Sequence, residues 1–299
     1  MKKNILIAVV LVIGFLPAYS QPKILQDAAN AITGNNQTVN SVIKGVATFA
    51  QSAKAADNLT PENEYYLGRA VAANIAGTGK IYRNPALDAY LNKICTTIVI
   101  NSQRPDIYNG YHVAVLDTDE INAFATPGGH IFVTRGLIAC ASSEDALAAV
   151  IAHEVAHIQL RHALTSIRNA RYVNAAASGL LAGVGDTTAN TVNELTGIMG
   201  TSVDEIITSM VVKGFSKKDE LEADATALSL LAAAGYDPSG MLTMLEVLKD
   251  KQGKDKKSGF GKTHPTPAER ITAVKKNLGK YKTTDTKSSR TGRFSSNVR

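Results

Sequence analysis

Cysteine is nearly absent: Cys95 and Cys140 are the only two in 299 residues. Two cysteines give no spacing from which a disulfide framework can be read, and both sit among apolar neighbours, so a bridge and two buried thiols fit equally. Neither has a ligand-spaced partner, which excludes a cysteine metal site. No G-x-S-x-G and no placed nucleophile occur, which excludes a serine or cysteine hydrolase. No internal repeat stands out. The apolar run Ile5 to Leu16 is too short for a comfortable membrane span. Aromatic residues make up 6% of the chain and do not interleave with the basic ones, which leaves specific nucleic-acid recognition without support.

What is present begins with that same run. Lys2 and Lys3 precede it and Ala18 and Ser20 follow it, the pattern of a secretory signal peptide cut near Ser20–Gln21. The expectation is an exported, periplasmic protein, the alternative being an uncleaved signal that anchors it. Charge is segregated. Residues 249–299 hold 15 Lys/Arg against 4 Asp/Glu, whereas residues 21–248 hold 15 against 22. An acidic body with a basic tail suggests either a disordered extension or weak contact with an anionic surface. The expected organisation is a signal at 1–20, a polar lead-in at 21–58, a catalytic domain at 59–281 and a basic disordered tail at 282–299.

Local patterns place the elements. Thr60 as N-cap with Pro61 after it starts a helix reaching about Ile75, and Asn84-Pro85 opens another with Leu87, Tyr90, Leu91 and Ile94 on one face. Three short β-rich segments follow, 111–116, 122–126 and 131–134, with a hairpin at Pro127-Gly128-Gly129. Ser142 is placed to cap an amphipathic helix carrying Leu147, Val150, Ile151, Val155 and Ile158. The Gly183–Asp186 stretch reads as a loop in an Ala/Gly-rich segment, packed in the core or lying over the site. A strong helix runs from Asp219 to Ala234, stopped by Gly235 and Pro238.

The chemistry lies in the capped helix. His153-Glu154-Val155-Ala156-His157 fits the metalloprotease pattern H-E-x-x-H. Residues four apart share a helix face, so His153 and His157 can offer imidazoles to one ion. Glu154, one residue round, is set to take a proton from the attacking water. A catalytic zinc needs a third protein ligand. Leu160 and Ala163 stand where the metzincin order requires Gly and His, and His162 is offset by five and reads as a surface histidine. Glu220 and Asp224, four apart on a later helix, share a face; one can bind metal while the other orients a ligating imidazole. Glu222 faces away. His264, between Thr263 and Pro265, can either donate to an oxyanion or occupy the open metal position, and Arg270 is a second candidate donor.

Taken together, these motifs resemble the gluzincin metallopeptidase family of the CAAX prenyl endopeptidases, HtpX and the periplasmic BepA-like proteases. The resemblance spans roughly Thr60 to Leu278 and rests on Asn122–Gly129 with Ile131–Gly136, His153–His157, Glu220-x-x-Ala223-Asp224 and His264-Pro265. It implies an α+β, mainly helical, zincin-like fold with a three- to four-stranded sheet packed on the active-site helix. It implies one Zn2+ per chain on His153, His157 and Glu220, Glu154 as base, Asp224 behind a ligand, and a substrate groove along Asn122, Ala123, Phe124 and Ala125. In BepA-like relatives the histidine matching His264 can act as an inhibitory switch. The implied substrates are unfolded or extended polypeptides bound to an exposed strand edge near Phe124, with outer-membrane or envelope assembly factors as partners. The competing expectation is a protease-like chaperone or assembly factor with little proteolytic activity.

Overall fold

The computed structural model describes residues 59–78, 80–166, 207, 214–251, 263–264, 267–282 and 287–298. The expected signal peptide, the lead-in and the Gly183–Asp186 loop lie outside the described residues. Apart from Leu59, the described residues belong to one unit, Thr60–Ser166 with Ile198–Arg299.

Helix α1 (Pro61–Thr78) starts where Thr60 accepts from the Asn63 N–H through its hydroxyl, at 3.1 Å. Helix α2 (Pro85–Val99) is capped by Asn84, whose carboxamide oxygen accepts from Leu87 N at 3.2 Å. Leu87, Tyr90, Leu91 and Ile94 face the core as their spacing predicts. Three strands follow: β1 (His112–Leu116), β2 (Ala123–Ala125) and β3 (His130–Thr134), in the order β1-β3-β2. β1 runs parallel to β3 and β2 antiparallel to it, with Phe124 opposite Phe132. The β2–β3 hairpin turns at Pro127–Gly129, and Gly128 takes φ +72° with its α-carbon hard against the backbone of Tyr65. Only glycine meets both demands, since a Cβ there would meet Tyr65 Cα and also carry the left-handed strain.

Helix α3 (Arg135–Cys140) leads into α4 (Glu144–Gln159), the centre of the molecule. Ser143, one residue past the expected cap, accepts from Ala146 N at 3.2 Å. Residues Glu144 to Ile158 are buried without exception, so α4 is not the amphipathic helix its apolar stripe suggested. A helix that is apolar all round is a core helix, and the alanines at 146, 148, 149, 152 and 156 fill the positions an amphipathic helix gives to solvent. α4 is wrapped by α2, the sheet, α5 (Lys217–Ala233), α6 (Ser239–Lys251) and α8 (Lys287–Val298). α5 begins with a reciprocal capping box between Ser216 and Asp219. α7 (Pro267–Leu278) packs on α5 and α6.

α8 corrects the expectation of a disordered tail. Its Phe294 is buried, and Arg290 and Arg293 reach Asp145 and Glu144 in the first turn of α4. A single apolar residue and two paired arginines order a segment whose composition alone reads as unstructured. The two cysteines are not bridged; Cys95 is buried and Cys140 half-buried.

Candidate active site

Two core helices meet at the site. α4 contributes His153, Glu154 and His157, and α5 contributes Glu220 and Asp224; all five are 2% exposed or less. Such burial of polar groups is tolerated only when they are paired or hold an ion. His153, His157, Glu220 and His264 each present a ligand atom, and these four atoms lie within 4.8 Å of one another. The closer pairs are His153 Nε2 to His157 Nε2 at 3.1 Å and His153 Nε2 to His264 Nδ1 at 3.3 Å. Glu220 Oε1 lies 3.0 Å from His264 Nδ1 and 3.4 Å from His157 Nε2. Tetrahedral coordination with metal–nitrogen bonds of about 2.0–2.1 Å sets ligand atoms about 3.3 Å apart. The donor set of nitrogens and a carboxylate oxygen therefore fits zinc in both spacing and chemistry.

The surroundings orient these donors. Asp224 Oδ1 sits 3.0 Å from His153 Nδ1, which leaves Nε2 to face the other ligand atoms. Arg270, on α7 and 1% exposed, clamps both carboxylates. Its Nε and Nη2 donate to Asp224 at 2.7 Å each, and its Nη1 lies 2.8 Å from Glu220 Oε2. Arg270, expected as a candidate oxyanion donor, has its three guanidinium nitrogens against these two acids. With its fork on two buried carboxylates, the guanidinium braces Glu220 and Asp224. Burial works against ionised carboxyl groups at 220 and 224. His264 and Arg270 override it for Glu220, and Arg270 for Asp224, holding both well below the usual carboxylate range.

Glu154 is fully buried, and neither of its carboxylate oxygens has a hydrogen-bond partner among the described residues. Burial raises its pKa against the pull of His264 and His153, the direction a general base at neutral pH requires. His264 completes the picture from the other side. Its Nδ1 joins the ligand atoms while its Nε2 stands 3.5 Å from Glu154 Oε1.

Two further expectations are revised. β2 is an edge strand, but its residues are buried, as is Asn122, so the edge near Phe124 is not exposed. Asn122 is tied at both ends: its N–H donates to Thr134 Oγ1 at 3.0 Å, and its Oδ1 accepts from Thr263 Oγ1 at 3.0 Å. The segment that carries His264 is thus fastened to the start of the strand that the substrate was expected to use. Past that strand, Ala125, Thr126, Phe215 and Arg161 line a narrow pocket beside His157. His162, read as a surface histidine, is 4% exposed, with Nδ1 2.9 Å from His157 Nδ1. Helical spacing beyond His157 hid it, because α4 stops at Leu160 and the chain turns at Arg161, φ +56°.

The profile of peptidase family M48 matches residues 85–278, well over half of the chain. The chain belongs to peptidase family M48. Its fold is mainly helical and zincin-like, around a small mixed sheet. It is 29% identical to the beta-barrel assembly-enhancing protease of Escherichia coli O157:H7 over 224 residues, 73% of this chain and 44% of that one. It is 32% identical to the mitochondrial metalloendopeptidase OMA1 of Schizosaccharomyces pombe over 191 residues, 62% of this chain and 51% of that protein. It is 29% identical to the metalloprotease LoiP of Escherichia coli K12 over 199 residues, 64% of this chain and 71% of LoiP. The chain spans less than half the length of the beta-barrel assembly-enhancing protease it matches. No helix among the described residues is long and apolar enough to cross a membrane.

One prediction follows from the electrostatics of this M48 site. Burial and Arg270 oppose a charge on His153, but Asp224 and Glu220 override them and push its pKa up to about 9. A raised histidine pKa stabilises the metal-free protein below the unfolded value of about 6.5, and that stabilisation is lost as pH rises through the folded value. A metal must displace the same proton, so zinc affinity is expected to rise about tenfold per pH unit between pH 7 and 9. Chelator competition at pH 7, 8 and 9 measures it; a flat profile contradicts the arrangement.

Proposed function

We propose that this M48 peptidase is a zinc-dependent endopeptidase that cleaves unfolded or extended polypeptides in the cell envelope and is closed at rest by His264. The observation that carries the reading is the dual contact of His264, with one ring nitrogen among the ligand atoms and the other against Glu154. His153, His157 and Glu220 would hold the metal, with Asp224 and Arg270 bracing them. Zinc bound there supplies a Lewis acid for the scissile carbonyl and lowers the pKa of water to about 7. Glu154 takes the proton of the attacking water and returns it to the leaving amine. Substrate main chain pairs with Asn122 and β2 once the Thr263–His264 segment, fastened to Asn122, withdraws and uncovers that edge. Main-chain pairing favours extended chains over folded ones. The signal-like N-terminus and the likeness to a beta-barrel assembly-enhancing protease support an envelope setting with assembly factors as partners.

The test is hydrolysis of unfolded casein and of a folded control by the parent chain and by His264→Ala. Removing the occupant of the open position is expected to raise casein hydrolysis about tenfold or more, leave the folded control intact and remain sensitive to chelator. A fall in activity contradicts the block and assigns His264 to the oxyanion.

A further inference from the structure

We propose that His162 is a positioning residue for the metal centre, fixing the tautomer and ring orientation of His157 through an imidazole–imidazole hydrogen bond. The inference rests on the reading of His157 as a metal ligand. His157 directs Nε2 at His153 Nε2 and Glu220 Oε1, so that atom must present its lone pair to a metal. Its proton then resides on Nδ1, which lies 2.9 Å from His162 Nδ1 and donates to it. As the acceptor, His162 carries its own proton on Nε2. That nitrogen faces Asp219 Oδ1 and Glu222 Oε2, each at 3.9 Å, so the tautomer left to His162 points its N–H toward negative charge. Every proton in the relay is fixed by its neighbour.

The ring of His157 has a second support. Phe215 stacks on it with centroids 4.1 Å apart and planes 21° from parallel, and lies 6.1 Å from His162. The chain is bent to bring this about: α4 ends at Leu160, Arg161 adopts left-handed backbone, and His162 returns to His157. The two ligating histidines of α4 are therefore held unlike one another. His153 leans on the carboxylate of Asp224, and His157 on a neutral imidazole and an aromatic face.

Partners behind a ligating histidine contribute about 10–100-fold to metal affinity. The experiment measures zinc affinity by competition with a chromophoric chelator, together with the melting temperature of the zinc-free chains. His162→Phe keeps a ring but offers no acceptor, while His162→Asn places an amide oxygen near the position of Nδ1. The parent is expected to bind one zinc, the Phe variant to bind 10–100-fold more weakly, and the Asn variant to recover most of that loss. Zinc-free melting temperatures are expected to stay alike. Unchanged affinity in the Phe variant, or an Asn variant as weak as Phe, overturns the proposal while leaving the metal site standing. A parent that binds no zinc overturns the metal reading and this inference with it. If His162→Phe does not fold, His162→Leu takes its place in the same comparison, with the same outcomes.

Discussion

Glu154→Gln is expected to keep the fold and the bound zinc while lowering peptide hydrolysis by about 10²–10⁴-fold, the contribution of a positioned general base. The amide matches the carboxylate in shape, and the surrounding backbone of α4 is fixed by burial on every side. What the amide lacks is the ability to accept and return a proton. The fold gains rather than loses, because the carboxylate at 154 is desolvated and has no hydrogen-bond partner among the described residues. The melting temperature of the variant should therefore equal or exceed that of the parent. The comparison is best made in a His264→Ala background, where the resting contact with Glu154 is gone. Activity within tenfold of that background would remove Glu154 from the mechanism.

Arg290→Met is expected to have the largest effect on stability. Arg290 is 4% exposed; its Nε lies 2.9 Å from Asp145 Oδ1, and it also donates to the carbonyl of Gly235. Asp145 in turn accepts from Asp237 N at 2.9 Å, so one carboxylate joins α8, α4 and the turn before α6. Arg293 and Tyr90 hold the neighbouring Glu144 in the same way. Removing one partner of a buried ion pair costs about 3–5 kcal/mol, because the other charge stays buried alone. For a chain of this size that is about 6–20 °C in melting temperature. Adding Asp145→Asn should restore part of the loss, and a single-variant drop under about 2 °C would contradict the clamp. Both arginines pair with carboxylates of their own chain, Arg290 buried and Arg293 with about half of its side chain exposed.

Much of this site was legible in the sequence, and the reasons differ residue by residue. His153, Glu154 and His157 are local: four residues on a helix fix their geometry before any tertiary contact forms. Glu220 and Asp224 were legible as a pair for the same reason, one turn apart on a capped helix, though which of them meets the metal depends on how α5 leans on α4. The pairing of Arg270 with Glu220 and Asp224 was not legible, because those partners lie about 50 residues away and no spacing records them. His162 was misread because helical geometry was carried past Leu160, where a left-handed residue ends it. The burial of α4 on all faces is visible in its alanines once the helix is known to be central, and a stripe of larger side chains obscured that. The tail was misread because its order rests on Phe294 and two ion pairs, which average composition dilutes.

The central claim is that one zinc, held by His153, His157 and Glu220, is required for hydrolysis by this M48 peptidase. Metal content and casein hydrolysis measured on the same His264→Ala preparation test it most directly, before chelation, after chelation and after zinc is returned. The account predicts one zinc per chain, activity lost with the metal and regained with it, and neither metal nor activity once His153 and His157 are both replaced. Hydrolysis that survives complete removal of metal, or stoichiometric zinc without those two histidines, would contradict it.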